Sequence, residues 1–288
     1  MPEVRLKERV VTGILDRRGA RALGPICWVR AAREDLARLR ESRFVLGNLV
    51  SSALKTRYQR SALGFLWTLL HPALILAVLA IVFSQVIGRS VERFPVYLFS
   101  GLIPYQFLSD ALTNGGRSLV IHEGLAKRVP VQTLAFPLSA VLVALANMLF
   151  AMTAMFLVLQ FLGARFTVQL VLLPVAILLM GLFTLGATLI AMTLVTYCRD
   201  FEHILSVLLR ALWFGSPILF QPHQLGKYEV VMAFNPLTYF LQLFRCALYD
   251  ATWPDRTTLL VSVASAGAMF AFGYAVYKRH ERDYIFRL

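Results

Sequence analysis

Long uncharged runs divide this chain. They occupy residues 61–88, 129–164, 166–198 and 257–277. Residues 94–116 form a fifth run, interrupted only by Asp110. Residues 203–226 form a sixth, interrupted by Arg210 and loosened by Pro217 and Pro222. Bilayer hydrocarbon is about 30 Å thick and takes roughly 20 helical residues to cross. The runs are too long and too apolar for strands, and no strict alternation suggests a barrel. The pattern predicts an all-α integral membrane protein of six transmembrane helices. They fall at about 61–88, 94–116, 134–163, 168–197, 203–221 and 257–277.

A different period precedes the first run. Leu36, Leu39, Leu46, Leu49, Val50, Ala53, Leu54 and Tyr58 recur at three- and four-residue steps. Arg38, Arg40, Glu41, Ser42, Asn48, Ser51, Ser52 and Lys55 lie between them. Residues 33–60 therefore read as an amphipathic helix in the cytoplasmic interface, its basic side chains snorkelling to water. The same pattern fits a helix packed on a soluble partner; the membrane surface is the preferred reading. Residues 1–32 form a basic, irregular N-terminal extension.

Val230–Phe244 is a seventh apolar stretch, but it is short and holds Asn235-Pro236, which breaks regular helix. Charge decides its place. With six spans, both termini and the loops around Lys127-Arg128 and Arg199 share one side, which carries 22 of the 29 basic residues. A seventh span would move the tail KRHERDYIFRL to the other side, against the positive-inside tendency. Residues 222–250 are expected to form a re-entrant or surface gate hairpin on the periplasmic or extracellular face. Non-helical backbone at that depth needs protein or a wet cavity around it.

Composition narrows the function. Hydrophobic residues make up 58% of the 288 positions and charged ones only 16%, against about a quarter charged in soluble domains. The net charge of +13 could suggest nucleic acid, but 14 of the 29 Lys and Arg precede the first long apolar run. That distribution fits topology and anionic head groups, so no nucleic-acid partner is expected. No secretory signal pattern opens the chain. Cys27, Cys198 and Cys246 have no metal or disulfide spacing and read as free thiols.

Catalytic motifs do not emerge. The P-loop GxxxxGK[ST], HExxH and GxSxG are absent, so neither P-loop ATP binding nor those hydrolytic chemistries are expected. An enzyme acting on polyprenyl phosphates would gather several carboxylates near a metal, yet only Asp110 lies well inside an apolar run. No catalytic residue, metal site or cofactor is assigned to this chain. Two readings of Asp110 stay open: a functional intramembrane charge, or a group solvated near a helix end. Arg210, about one turn inside its run, reads as snorkelling. His71, before Pro72, reads as a neutral hydrogen-bonded group at a kink. The loop Arg117–Thr133 places Ile121, Leu125 and Val129 four residues apart. That spacing forms one apolar face on a small helix, suited to docking in a soluble partner's groove.

Four segments now combine. RYQRSALGFLWTLLHP (Arg57–Pro72), FPVYLFSGLIPYQFLSDAL, CRDFEHILSVLLRALWFGSPILF and NPLTYFLQLFR stand in this order. Together they resemble the membrane subunits of ABC exporters (ABC-2 type permeases) of the polysaccharide-export group, which move O-antigen, capsular, teichoic-acid or related lipid-linked polymers. The resemblance runs from about Leu36 to the C-terminal tail. It implies a homodimer in the cytoplasmic (inner) membrane and two copies of an ATPase subunit that holds ATP and Mg. The cargo would be a lipid-linked polysaccharide. Ile121, His122, Glu123, Leu125, Lys127 and Arg128 fall where the family's coupling helix meets the ATPase. Pro217, Asn235 and Pro236 belong to the region of its short gate helices. The extension 1–32 is longer than the usual lead-in.

A polymer conduit suits aromatic platforms with few tight ion pairs. Trp67, Tyr97, Tyr105, Phe107, Trp213 and Phe214 are candidates for such a path, though interface belts and cores also use aromatics. Arg57, Tyr58 and Arg60, at the collar of the first span, are candidates for holding the cargo's phosphate head group, with Gly64 permitting close helix approach. Positive-inside anchoring alone is the competing account of that collar. An exporter of small lipophilic molecules is the alternative function.

Overall fold

The computed structural model describes residues 33–58 apart from 36, 94–128, 131–161, 167–219 and 234–288, with isolated positions at 70, 74 and 232. All regular structure among the described residues is helical. Residues 45–288 form one compact unit and residues 1–44 another. In the latter, the described positions from 33 to 41 are helical up to a turn at Ser42.

Helix α1 spans Arg43–Tyr58. Val45, Leu46, Leu49, Val50 and Leu54 are half-buried, while Asn48, Ser51, Ser52 and Lys55 are exposed. Ala53, expected on the apolar face, is exposed as well. The expected first span, with Gly64 and Trp67, lies outside the described residues except for helical Leu70 and Leu74.

Helix α2 (Phe94–Gly116) contains Pro104. After the short α3 (Ser118–Ile121) and α4 (Glu123–Arg128) comes α5 (Ala135–Phe161). A 3-10 turn at Val168–Val171 leads into α6 (Leu172–Tyr197). Then come α7 (Phe201–Phe214) and α8 (Pro236–Arg245), the latter widening into a π-helical turn at Cys246–Asp250. The chain closes with α9 (Arg256–His280) and α10 (Tyr284–Arg287). Among the described residues, three helical segments are long and apolar enough to cross a membrane: Ala135–Leu157, Val168–Tyr197 and Arg256–His280. They make this a multi-pass membrane protein.

One expected run comes out differently. The sequence predicts helix over 203–221, yet α7 ends at Phe214. Pro217 disfavours helical geometry at Ser216, and Gly215 makes the break inexpensive, so residues 215–219 turn away. At 1.5 Å per residue α7 covers only about 21 Å, less than the hydrocarbon thickness.

Helix α2 packs between α5 and α6, and α9 lies along α6. The α6–α9 crossing is a contact of bare backbone. A Cβ on Gly273 would stand 2.6 Å from the carbonyl carbon of Gly186, and one on Gly186 would stand 2.6 Å from Cα of Phe270. Small residues let helices approach this closely where lipid offers no hydrophobic drive for association. Buried threonines of α6 return their hydroxyls to the preceding turn: Thr188 to Thr184 O (2.7 Å), Thr193 to Leu189 O (2.8 Å) and Thr196 to Met192 O (2.7 Å). That satisfies each donor inside apolar surroundings. Outward positions such as Leu178, Leu260 and Phe272 are exposed and apolar, as a hydrocarbon solvent allows.

Candidate functional site

Functional candidates gather at two ends of the bundle. At the α8 end, the loop leaving α7 is held from two directions. Asn235 caps α8, its Oδ1 accepting from Leu237 N at 3.0 Å. The same amide donates through Nδ2 to Gly215 O (2.9 Å) and Ser216 Oγ (3.0 Å). Pro236 occupies the first turn of α8, where a missing N–H costs nothing. The other hold is Arg245, at the far end of α8 and only 2% exposed. Its Nη2 donates to Pro217 O and to Ile218 O, the latter at 3.4 Å. Its guanidinium lies 4.0 Å from the Tyr97 ring centroid on α2. Delocalised charge, planarity and spread donors let arginine bridge carbonyls and lie on a ring at once, as lysine cannot. Tyr249 meets the Tyr97 ring edge-on at 5.3 Å.

The other end of the bundle, where the C-terminal tail lies, carries the expected coupling loop. The single helix read from Ile121, Leu125 and Val129 is two pieces, because the chain turns at His122 between α3 and α4. His122 Nδ1 bonds Ser118 O at 2.8 Å, and the ring stacks on Phe136 at 5.6 Å. Ile121 is left 61% exposed; Leu125 is half-buried and Val129 lies outside the described residues. Lys127 and Glu123 pair at 2.6 Å. The hydrogen bond and charge of Lys127 hold the Glu123 carboxyl below its usual range. Lys127 and Arg128 close α4, where cations favour the helix C-terminus. Arg117 reaches Glu202 of α7 at 3.4 Å, tying the two loops of this end.

The tail binds the same end. Tyr277 and Tyr284 are fully buried. Tyr277 OH donates to Glu281 Oε1 at 3.0 Å, which leaves it to accept from Thr133 Oγ1 at 2.9 Å. Thr193 spends its hydrogen on Leu189 O, so Tyr284 OH donates to Thr193 Oγ1 at 2.7 Å. Burial pushes the Tyr284 hydroxyl well above its usual pKa and keeps the proton for that bond. Rings 274, 277 and 284 follow one another at 6.2 and 5.9 Å. Thr133 is the last residue of the loop Arg117–Thr133, so the tail holds that loop's exit.

Between α1, α2, α3 and α5 lies a cleft of about 610 Å³. Asp110, Asn114, Arg117 and Ser118 face it from α2 and the start of α3, Ser52 and Thr56 from α1, and Ser139 and Asn147 from α5. Asp110 thus borders a cleft that other polar side chains also line, which makes its place in an apolar run tolerable.

The sequence-derived candidates divide accordingly. Pro217, Asn235 and Pro236 come together, and the residues expected to couple to an ATPase lie on α3, on α4 and at the turn between them. The aromatic candidates separate: Tyr97, Tyr105 and Phe107 are buried within the chain. Tyr105 OH donates to Leu209 O, joining α2 to α7. Trp213 and Phe214 meet edge-on at 4.8 Å, and Phe214 is 71% exposed. Arg57 and Tyr58 end α1, with side chains outside the described set, as are Arg60 and Trp67. Sequence reasoning missed Arg245 and the tail tyrosines. Arg245, the one cation inside NPLTYFLQLFR, was a usable signal for the first; buried Thr–Tyr pairs at sequence separations of 91 and 144 leave none.

A family model described as ABC-2 type transporter matches residues 46–249. The O-antigen export system permease protein RfbA of Myxococcus xanthus is 27% identical over 89% of this chain and 98% of that protein. Its namesake from Klebsiella pneumoniae is 25% identical over 71% of this chain and 80% of that protein. The polysialic acid transport protein KpsM of Escherichia coli is 26% identical over 79% of this chain and 90% of that protein.

Proposed function

Because the chain belongs to the ABC-2 type transporter family, we propose that it is the permease subunit of an ATP-driven exporter carrying lipid-linked polysaccharide across the cytoplasmic membrane. The carrying observation is similarity over most of the chain to relatives named for O-antigen export and polysialic acid transport. Membership implies an ATPase subunit as partner. In this reading two copies of the chain assemble with two ATPase subunits, six helices span each copy, and both termini are cytoplasmic. The polymer is O-antigen-like, capsular or teichoic.

Each end of the bundle then has a task. The surface of Ile121, His122, Glu123, Leu125, Lys127 and Arg128 receives the ATPase stroke. The held loop at Pro217, Asn235 and Pro236 closes the outer mouth. Arg57, Tyr58 and Arg60 hold the cargo's phosphate at the inner head-group level. Trp213 and Phe214 supply aromatic surface to the path with Trp67, while Tyr97, Tyr105 and Phe107 support it from within each copy. Residues 1–32 take no part in this scheme.

Deleting the gene tests the proposal. Surface polymer should disappear and its lipid-linked form accumulate inside the cell. Normal surface polymer without accumulation would replace the reading with export of small lipophilic molecules. In complemented cells, Arg57→Lys and Arg60→Lys keep the charge but lose bidentate phosphate contact. Reduced export is expected from both, and full export would reduce the collar to an anchor.

A further inference from the structure

The exposed side of α7 carries two rows of unlike chemistry. His203, Ser206, Arg210 and Trp213 follow one another at steps of three, four and three residues, which is one face of a helix. The first three are exposed and Trp213 is half-buried. Ser206 Oγ donates to His203 O at 2.7 Å, which leaves its lone pairs for a ligand. Ile204, Leu208 and Ala211 form the second row, apolar and exposed, and Val207 and Phe214 lie between the two. Leu205 and Leu209 are buried on the opposite side.

Depth makes the polar row unusual. α7 runs alongside α2, and two close approaches give the register. A Cβ on Gly116, the last residue of α2, would stand 3.5 Å from Leu205 Cδ2, and one on Gly101 would stand 3.4 Å from Ile218 Cα. Between them the hydroxyl of Tyr105, the central residue of α2, donates to Leu209 O. Arg210 is the next residue, so it is level with the middle turns of a helix about 35 Å long. From there snorkelling would have to cover half the hydrocarbon thickness, about 15 Å, which is more than an arginine side chain spans. The Arg210 side chain has no ion pair or hydrogen bond among the described residues. The expected first span, 61–88, holds no carboxylate that could neutralise it. A charge at this depth needs water around it and an anion from elsewhere.

We propose that this row faces a water-filled path and that Arg210 holds an anionic oxygen group of the carbohydrate cargo in passage. A guanidinium presents two parallel donors to a phosphate or a carboxylate. His203 and Ser206 offer hydrogen bonds to sugar hydroxyls, and Trp213, one turn beyond Arg210, gives an apolar sugar face a ring to lie against. The anion has two sources: the phosphate that joins glycan to lipid, or the carboxylate of an acidic sugar. The row of Ile204, Leu208 and Ala211 turns to a different side, where hydrocarbon or protein suits it. The proposal rests on the export reading for its cargo, whereas water access to the row does not.

The test is cysteine labelling of the full chain, assembled with its ATPase subunit in proteoliposomes. Cys27 and Cys198 are replaced by serine, leaving only buried Cys246. A charged methanethiosulfonate reads water access. Ser206→Cys and Arg210→Cys should react about tenfold faster than Leu208→Cys of the apolar row, and equal rates would overturn the path whatever the protein exports. Cargo contact is read at Ser206→Cys with Arg210 in place. Decyl phosphate-linked N-acetylglucosamine or a galacturonate oligosaccharide should slow this labelling severalfold. Protection by the first assigns the anion to the lipid linkage, by the second to the sugar, and by both to either source. Arg210→Gln should abolish the protection, and Arg210→Lys should keep part of it. Protection by neither probe, or protection that survives Arg210→Gln, would overturn the role of Arg210 and leave the export reading to the gene-deletion test.

Discussion

Placing a methyl group on Gly273 tests whether the α6–α9 crossing depends on bare backbone. The added Cβ would stand 2.6 Å from the carbonyl carbon and 2.8 Å from Cα of Gly186, against about 3.5–4.0 Å for ordinary carbon contacts. The obstruction is backbone, so no rotamer can yield and the helices must part by about 1 Å. Overpacking of this kind costs about 1–3 kcal/mol, while alanine recovers up to about 1 kcal/mol of helix propensity. We therefore expect a net loss of about 1–2 kcal/mol for Gly273→Ala. Gly181 and Gly267 have nothing within 4 Å of an added Cβ, so their alanine variants should be neutral or slightly stabilising. Gly186→Ala strains the same crossing from the other side, and the double variant should cost less than the sum of the two. A thiol-reactive dye reads the transition through buried Cys246, in a background with Cys27 and Cys198 replaced by serine. The expected fall in melting temperature is about 2–8 °C, from roughly 2–4 °C per kcal/mol. Gly273→Ala melting together with Gly267→Ala would refute the argument.

Arg245→Met should destabilise the purified protein by about 2–4 kcal/mol in the same melting assay. It leaves two loop carbonyls without donors at about 1–3 kcal/mol each and removes a desolvated cation–π contact. Arg245→Lys should recover only part of this, and an unchanged melting temperature in Arg245→Met would show that the loop does not depend on this contact. Tyr284→Phe removes one buried hydrogen bond, about 1 kcal/mol. Amide exchange across 281–288 should then rise about fivefold with little change at α2. Tyr277→Phe should speed exchange at residues 131–134 in the same way; unchanged exchange in both variants would remove the tail's grip on the coupling segment.

Long-period features were readable in the chain. The runs at 94–116, 134–163, 168–197 and 257–277 coincide with helices α2, α5, α6 and α9 to within a few residues, because hydrocarbon imposes both length and composition on such segments. The 203–221 run misled because apolarity continues past Phe214 while helical geometry does not. Gly215 and Pro217 decide that boundary, and hydropathy does not register them. Asn235-Pro236 was legible as a break in helix, and its physical content is a cap with proline in the first turn of α8. The Ile121–Leu125–Val129 spacing overstated one helix, since His122 turns the chain between them. Arg245 stands out locally only as the single cation of NPLTYFLQLFR. Its burial depends on carbonyls 27 and 28 residues away and on a ring in α2, and no local pattern encodes that meeting.

The Asn235 amide joins positions 20 residues apart at 2.9 Å, and this clasp makes a stem for whatever chain lies between. Once a stem is fixed, lengthening the enclosed segment costs only the slow logarithm of loop closure, about 0.6 kcal/mol for each doubling. Insertions and deletions there leave α7 and α8 in register. By the same arithmetic the enclosed segment is a place where added or removed residues cost the bundle little.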